Sequence, residues 1–252
     1  MTTQGAGLGM PEGVIAQRYR QAAHLQELCC KFASNGYVRL TGLFEAELAG
    51  ALAAEVQRLE PVARPRNFRM DGYGTPRVLA ALGGATIAQS SSLLAGLYGS
   101  VELRSTLSQI TGSPVYLCQH AEEFMVINYL NGPGATHGWH LDDPAYALVC
   151  VISAPPPEQG GFVEFIPDWT ACCQTAAALP EVDVESTIAR SRAEVRRCVF
   201  SSGDIYLMRA DRCLHRVAEL TAPGARRVAL NLAFEQTPSP RYGHTATALY
   251  GA

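Results

Sequence analysis

The second half of the chain constrains the fold most strongly, because short β-type runs alternate there with turn residues from Pro114 onward. Eight such runs follow one another: VYLCQH, FMVINYL, the stretch through His140, YALVCVISA, GFVEFIP, DIYLMR, LHRVAEL and RRVALNLAF. Short strands separated by glycine, proline and asparagine are typical of a β-sandwich or a β-barrel. We therefore predict a mostly β core over residues 113–252.

The first 112 residues show a different pattern, in which apolar residues recur three and four positions apart. This spacing predicts helices over residues 13–34, 45–59 and 85–111, with a short strand at 37–40. Residues 61–80 contain prolines, glycines and arginines without periodicity, which predicts a loop. We expect residues 1–112 to form a helical cap that packs, together with this loop, on the β core in one structural domain.

A second helical stretch interrupts the β pattern at about residues 168–200, in TACCQTAAAL and VESTIARSRAEV. An insertion of this length is often a lid or a binding element. We therefore expect this insertion and the loop at 64–80 to cover a site in the β core.

Composition limits the kinds of partner that the chain can bind. The 252 residues are 48% hydrophobic and 17% charged, with a formal net charge of −3 and no block of like charges. This pattern disfavours a nucleic acid or a membrane surface and favours a small neutral or zwitterionic molecule. The sequence has no signal-peptide pattern and no apolar run of transmembrane length, so we expect a cytoplasmic protein with reduced cysteines. The oligomeric state is left open, with a homodimer as one alternative.

The pattern His140-Leu141-Asp142, followed by His215 about seventy residues later, indicates a metal site. Residues two apart on a strand point to the same face, so His140 and Asp142 can converge on one ion. His215 lies in a separate strand-like run that can supply the third ligand. Two imidazoles and one carboxylate leave three positions open for a bidentate cosubstrate and dioxygen, as in non-haem iron sites. The alternative is a chance tripeptide, because H-x-D alone is a weak signal.

The surrounding motifs make the chain resemble the 2-oxoglutarate oxygenases over residues 114–235. The matching elements, in chain order, are Tyr129 with Gly132, His140 with Asp142, Gly160-Gly161 with Phe165, Gly203-Asp204, and His215 with Val217. The resemblance implies a jelly-roll, cupin-like double-stranded β-helix flanked by helices. It also implies iron(II) held by His140, Asp142 and His215, with 2-oxoglutarate and dioxygen as cosubstrates.

In that family an arginine near the final strand pairs with the far carboxylate of 2-oxoglutarate, and Arg226 and Arg227 both match by spacing. Strand alternation places Arg227 on the small, polar face with Ala229 and Asn231, so we choose Arg227. Two surface arginines after a turn are the alternative. Tyr129 is expected to donate a hydrogen bond to the cosubstrate, with a tyrosine of the core as the alternative.

The run from Thr136 to Asp143 resembles, more narrowly, the radical halogenases of free lysine and related amino acids and their lysine-hydroxylase relatives. Positions that match the substrate-binding residues of those enzymes are Arg77, Glu123, His137, Asp143 and Asn231. Acids can hold an ammonium group while an arginine binds a carboxylate, because buried charges need partners. An amino acid supplies both partners.

Two departures from the halogenase pattern bear on the reaction and the substrate. The halogenases have glycine at the position of Asp142, which leaves a vacancy for chloride, so the retained carboxylate implies hydroxylation. Ala233 stands where the halogenases have a threonine, which puts identical substrate recognition in doubt.

The resemblances predict a hydroxylase of a free amino acid, with L-lysine or a similar basic amino acid first, coupled to conversion of 2-oxoglutarate to succinate. A second hypothesis is an oxygenase that hydroxylates, desaturates or cyclises another intermediate of natural-product biosynthesis. A third is a β-helix protein that binds metal or ligand without turnover. The sequence has neither a G-x-S-x-G elbow nor a P-loop, and no well-placed general base for a zinc hydrolase.

Overall fold

Twelve antiparallel strands form one continuous sheet in the part of the chain that the computed structural model describes, residues 13–175, 184–191, 193–243 and 249–250. The strands are β1 (Tyr37–Arg39), β2 (Arg64–Met70), β3 (Thr75–Leu82), β4 (Tyr116–Leu117), β5 (Met125–Asn131), β6 (Thr136–His140), β7 (Tyr146–Ser153), β8 (Val163–Ile166), β9 (Arg196–Cys198), β10 (Ile205–Met208), β11 (Leu214–Val217) and β12 (Arg226–Glu235). Each of the eight predicted β runs contains a strand.

The strand order shows how distant segments become neighbours. It runs β1-β10-β7-β12-β5-β3-β6-β11-β8-β9, with β2 paired to β3 and β4 paired to β12. The sheet curls into a half-barrel, which is the jelly-roll architecture of the double-stranded β-helix. The predicted fold class is confirmed.

Seven helices flank this sheet within the described residues. They are α1 (Ala22–Asn35), α2 (Ala46–Leu59), α3 (Gly84–Ser90), α4 (Ser92–Gly99), α5 (Val101–Thr111), α6 (Trp169–Thr175) and α7 (Val184–Ser191). The first five lie in the three segments for which the apolar spacing predicts helices. None of these helices is long and apolar enough to cross a membrane.

The main core lies between the outer face of the sheet and helices α1 to α5. Alternate residues of a strand face opposite sides, and the outward set on β12 is Val228, Leu230, Leu232 and Phe234, all buried in this core. Each such side chain contributes roughly 1.5–3 kcal/mol when it leaves water. The residues between them on β12 therefore face the inside of the curl.

The predicted loop at 61–80 is wrong, because most of this segment forms the β2–β3 hairpin. Gly72 and Gly74, with φ of 80° and 65°, form its turn. β2 lies at an edge, where Pro65 is tolerated, and β3 is inserted between β5 and β6. Arg77 points inward from β3 and is only 1% exposed, so a charged residue interrupts the apolar alternation that would have revealed the strand.

The segment predicted as a helical insertion contains α6 and α7, while its residues 176–183 and 192 lie outside the described residues. These helices cover the outer side of β6, β8 and β11. Cys172 of α6 and Val184 of α7 pack with Trp139, Ile166 and Leu214. The eight cysteines are all free, as predicted.

Candidate metal and cosubstrate site

Three side chains converge inside the curl of the sheet, one from β6, one from β11 and one from the residues just after β6. One ligand atom each from His140, Asp142 and His215 lies within 4.8 Å of the other two. Oδ1 of Asp142 is 3.4 Å from Nε2 of His140 and 3.8 Å from Nε2 of His215. The two histidines are direct cross-strand partners on β6 and β11. The sequence pattern and the geometry thus agree on the same cluster.

The position of Asp142 depends on the loop after β10. Asp142 follows the end of β6, and its backbone N–H donates to the carbonyl of Ala210 at 3.1 Å. Ala210 in turn donates from its own N–H to the carbonyl of Ala145. Two backbone hydrogen bonds to Ala210, at Asp142 and at Ala145, therefore position the segment that carries the carboxylate, which lies outside the strand pairing.

A β-bulge in β6 brings a third histidine to the same face. His215 pairs with His140 but Val217 pairs with His137, so the four residues 137–140 of β6 lie opposite the three residues 215–217 of β11. In a regular strand, residues three apart face opposite sides. Here the rings of His137 and His140 stack, with centroids 4.1 Å apart and planes inclined by 27°.

Gly138 lies in this bulge, where β3 approaches closely. A Cβ atom at Gly138 would lie 2.8 Å from the carbonyl oxygen of Pro76 and 2.9 Å from Cβ of Thr75. The Thr75 hydroxyl also donates to the carbonyl of Trp139 at 2.7 Å. Only glycine lets β6 and β3 come this close.

Backbone carbonyls determine which nitrogen of each histidine faces the cluster. Nδ1 of His140 lies 2.7 Å from the carbonyl of Gly138, and Nδ1 of His215 lies 2.8 Å from the carbonyl of Cys213. A carbonyl only accepts, so each Nδ1 carries the proton and each Nε2 presents a lone pair to the cluster.

Burial affects the protonation of the cluster. It lowers the pKa of His140 well below its usual value, and the neighbouring His137, His215 and Arg77 lower it further. Burial raises the pKa of Asp142, an effect that the nearby His215 opposes. Neutral imidazoles and a carboxylate are the donors that bind a divalent transition metal, so the residues fit a metal of this kind.

Two small cavities meet at the cluster, and His137, His140, Asp142 and Tyr250 line both. The first, which we call the Arg77 cavity, has a volume of about 20 Å³. Its other lining residues are Met70, Tyr73, Arg77, Glu123, Leu141 and Leu249.

The second cavity, which we call the Arg227 cavity, has a volume of about 40 Å³. Its other lining residues are Asn128, Ala147, Val149, Tyr206, Met208, His215, Val217, Arg227, Ala229 and Asn231. The two cavities differ in their charged and polar residues. The Arg77 cavity combines Arg77 with Glu123, whereas the Arg227 cavity combines Arg227 with the amides of Asn128 and Asn231.

The structure places Arg226 and Arg227 in different surroundings. Arg227 is 2% exposed, and its Nε and Nη2 atoms have no hydrogen-bond partner among the described residues. Arg226 forms an ion pair with Glu60 near the surface, at 2.5 Å. β12 thus points Arg227 to the cavity with Ala229, as its alternation predicts.

The prediction for Tyr129 needs a correction. β12 and β5 share their outer face, and Tyr129 packs there in the main core. Its hydroxyl donates to the carbonyl of Val56 on α2 at 2.6 Å. Its neighbour Asn128 faces inward instead and lines the Arg227 cavity, with Oδ1 lacking a partner among the described residues.

The predicted substrate residues Arg77, Glu123 and His137 lie together in the Arg77 cavity. Arg77 is opposite His137 in the β3–β6 pairing, and its Nη1 donates to the Thr75 hydroxyl at 3.1 Å. Burial lowers the pKa of Arg77 to about 10. Burial, assisted by Asp142 and Asp143, raises the pKa of Glu123 to about 9.

The other two predicted substrate residues lie elsewhere. Asn231 lines the Arg227 cavity rather than the Arg77 cavity, and its Oδ1 has no partner among the described residues. Asp143 is half-buried and does not line either cavity. Its Oδ2 accepts the backbone N–H of Gly243 at 2.8 Å, so the structure shows it tying two loops together.

Several site residues have no signal in the sequence. Tyr73 comes from the β2–β3 turn, Tyr206 from β10, and Tyr250 from the chain end. His120 supports Glu123 from behind, because its Nδ1 accepts the backbone N–H groups of Glu122 and Glu123 at 3.3 and 3.2 Å. Alternation along the predicted strand could have indicated a further cavity residue, Asn128, which is the inward-facing neighbour of Tyr129.

Comparison with known sequence families gives one decisive match. The model of the family described as HalD, Halogenase D, matches residues 20–249. This chain belongs to the Halogenase D family. A search among curated proteins finds no match.

Solved structures with the same fold include an epimerase and a prolyl hydroxylase. The epimerase SnoN from nogalamycin biosynthesis, in complex with Fe3+, α-ketoglutarate and nogalamycin RO, has a TM-score of 0.63 at 15% identity, covering 86% of this chain and 85% of SnoN. AviO1 from Streptomyces viridochromogenes has a TM-score of 0.63 at 15% identity, covering 86% and 97% of the two chains. A prolyl hydroxylase from Trichoplax adhaerens has a TM-score of 0.60 at 12% identity, covering 87% of this chain and 92% of the hydroxylase.

At these identities the similarity to solved structures establishes a shared fold. This chain is a member of the Halogenase D family and shares its fold with a structure that holds Fe3+ and α-ketoglutarate, the two groups that the sequence predicts here. The His140–Asp142–His215 cluster offers ligand atoms that fit such a metal.

We expect the Gly138→Ala variant to bind iron(II) roughly 10- to 100-fold more weakly than the wild type, because the added methyl group pushes the His140 strand away from β3. Anaerobic calorimetric titration with iron(II) measures the change. Gly50→Ala is the matched control: no atom lies within 4 Å of its added Cβ, so its iron affinity should equal that of the wild type. Equal iron affinity in both variants would show that the bulge does not position the ligand.

Proposed function

We propose that this Halogenase D family member hydroxylates a free amino acid, with L-lysine as the first candidate. In this reaction a C–H bond of the substrate becomes C–OH, while 2-oxoglutarate and dioxygen give succinate and carbon dioxide. One observation supports the proposal above all others: the His140–Asp142–His215 cluster lies where the Arg77 and Arg227 cavities meet. A substrate and a cosubstrate can thus reach one metal from two sides.

In this proposal His140, Asp142 and His215 hold iron(II), since two Nε2 lone pairs and one carboxylate oxygen face a common point. Iron with 2-oxoglutarate supplies the oxidising chemistry that activates dioxygen. The protein holds the ligands in place and excludes bulk water from a nearly closed site.

Arg227 binds the far carboxylate of 2-oxoglutarate in this proposal. Its free Nε and Nη2 atoms form one edge of the guanidinium, and this edge matches a carboxylate in a bidentate arrangement. A guanidinium that is 2% exposed needs an anion to offset its lost hydration. Arg226 already has this anion in Glu60, so it is not the cosubstrate ligand.

The Arg77 cavity suits the charges of an amino acid. Arg77 has a free Nε atom and Glu123 has a free Oε2 atom, and both side chains are more than nine-tenths buried. We infer that Arg77 binds the carboxylate and Glu123 binds an ammonium group. The ammonium charge favours the ionised form of Glu123, whose pKa burial otherwise raises to about 9. His137 lies between the cavities. Asn231 would contact the substrate only where the two cavities join, and Asp143 would act through the loop that it fastens.

The cavity volumes of about 20 and 40 Å³ are far below those that accommodate drug-sized ligands, so they favour a small substrate of either candidate class. The relatives with this fold include an epimerase in complex with nogalamycin RO and a prolyl hydroxylase in complex with a peptide. Other small intermediates of natural-product biosynthesis, and desaturation or cyclisation as the outcome, form the second candidate function.

Asp142 favours hydroxylation over halogenation. Its carboxylate is oriented toward both ligand histidines and occupies the third protein position of the cluster. The resemblance to the amino-acid halogenases implies that a halide needs this position to be vacant. We therefore propose hydroxyl transfer although the family is described as Halogenase D.

Mass spectrometry of reactions with iron(II), 2-oxoglutarate, air and a panel of free amino acids headed by L-lysine tests the proposal. We expect one amino acid to gain a single oxygen atom in step with succinate. The Asp142→Ala variant should form no hydroxylated product, because it removes one of three ligands. Its unfolding temperature should stay similar to that of the wild type. Full hydroxylation by this variant would exclude Asp142 from the metal site. Loss of two hydrogens instead would indicate desaturation or ring closure.

Arg227→Met should bind 2-oxoglutarate roughly 100-fold more weakly than the wild type, because the far carboxylate loses its buried charge partner. Arg226→Met is the matched control. It loses the ion pair with Glu60 near the surface but should keep the wild-type affinity for 2-oxoglutarate. Anaerobic titration of the iron-loaded variants measures both constants. The opposite ranking would assign the cosubstrate to Arg226.

Glu123→Gln should raise KM for the amino acid roughly 100-fold, because a neutral amide replaces the partner of a buried ammonium group. The affinity for 2-oxoglutarate should stay unchanged, since Glu123 does not line the Arg227 cavity. Glu122→Gln, one residue away and outside both cavities, is the control. An unchanged KM in Glu123→Gln would remove the acid from substrate recognition.

A further inference from the structure

We infer that Arg209 is a positioning residue for the metal site, because its side chain fixes the turn that holds two of the three ligands. The turn comprises residues 209–213 and joins β10 to β11. Arg209 lines neither the Arg77 cavity nor the Arg227 cavity, so it acts through the backbone of this turn. The inference rests on the proposed function and adds to it a residue that no motif indicates.

Two carbonyl groups of the turn hold the ligands. The carbonyl of Ala210 accepts the backbone N–H of Asp142 at 3.1 Å. The carbonyl of Cys213 lies 2.8 Å from Nδ1 of His215 and so orients the ring of this second ligand. The third ligand, His140, is oriented by a carbonyl of β6 instead. A shift of this one turn would therefore move two ligands relative to the third.

The backbone of Arg209 begins the turn and closes it. Its N–H donates to the carbonyl of Gly36, the residue after α1, at 2.7 Å. Its carbonyl accepts the N–H groups of Arg212 and Cys213 at 3.2 and 2.8 Å. The place of the Cys213 carbonyl thus depends on the place of Arg209.

The side chain of Arg209 fastens the turn to two neighbouring strands. Its Nε and Nη2 donate to Oδ1 and Oδ2 of Asp211 at 2.6 and 3.1 Å, a bidentate pair whose two residues flank Ala210. Nη2 also donates to Oε1 of Gln236, which follows β12, at 2.6 Å. The guanidinium carbon lies 5.1 Å from the ring centre of Tyr146, at the start of β7. The turn is thereby held against the ends of β7 and β12.

The outer side of the turn borders a cavity of about 330 Å³, and Arg209, Arg212, Tyr146 and Gln236 are among its lining residues. On this side hydrogen bonds and charge, and not apolar packing, hold the turn. The side chains of Arg209 and Asp211 are only 17% and 24% exposed, so water and salt screen their pair less than a fully exposed one.

Anaerobic calorimetric titration with iron(II) tests the inference. Arg209→Met keeps an unbranched side chain but removes the guanidinium. It should weaken iron(II) binding about tenfold, the lower end of the effect of groups that orient metal ligands. The visible absorption spectrum of the cobalt(II)-loaded variant should also differ from that of the wild type, because two ligands move relative to the third. A role in stability alone would lower the unfolding temperature of the metal-free protein and leave both metal readouts unchanged.

Arg212→Met is the matched control, because it removes an exposed guanidinium from the same turn and the same cavity. It should keep the iron affinity and the cobalt spectrum of the wild type. Arg209→Lys is the milder change and carries the same test if Arg209→Met does not fold. It keeps the charge but lacks the planar fork that pairs with Asp211, so its iron affinity should lie between those of Arg209→Met and the wild type.

The outcomes separate the inference from the proposed function. Unchanged iron affinity and an unchanged cobalt spectrum in the Arg209 variants would overturn the role of Arg209 and leave the proposed function standing. An equal loss of iron affinity in Arg209→Met and Arg212→Met would do the same. A wild-type protein that binds no iron(II) would overturn both.

Discussion

The pairing of β6 with β11 is the contact on which the rest of the site depends. It joins segments about seventy residues apart and places His140 directly opposite His215. The bulge in β6 then adds His137 to the same face, at the point where β3 brings in Arg77. Without the glycine at 138, β3 could not approach β6 this closely, and Arg77 would lie farther from the three-residue cluster.

Buried charge is the second organising constraint. The interior of the curl contains two arginines and several acids, and some of their polar atoms have no partner among the described residues. Isolated buried charges cost several kcal/mol each, so a site with this inventory is stable only because the fold around it is large and well packed. In the proposed function the same imbalance provides the affinity for charged ligands, since each ligand charge supplies what a side chain lacks.

Family membership and reaction outcome are separate questions for this protein. The match over residues 20–249 establishes the Halogenase D family, and the solved structures establish the shared fold. Neither determines what is transferred to the substrate. In the proposed function that choice depends on Asp142, a single carboxylate whose position is fixed by the backbone of Ala210 and not by the regular strand. Helices α6 and α7 pack against Trp139, the residue before His140.

The sequence alone indicated the β-rich core, the helices before it and the His140–Asp142 pair, because alternation and short spacing are local properties of a chain. His215, about seventy residues away, was found from its own strand-like run and from the resemblance of the surrounding motifs. The alternation of side chains along β12 also predicted that Arg227, and not Arg226, faces the inside of the sheet. Only the tertiary structure decided what depends on distant contacts: that β3 enters the sheet with Arg77, that Tyr129 faces α2, and that Tyr206 lines the Arg227 cavity. Strand order and bulges arise from pairing between remote segments, and a linear pattern holds no record of which segments become neighbours.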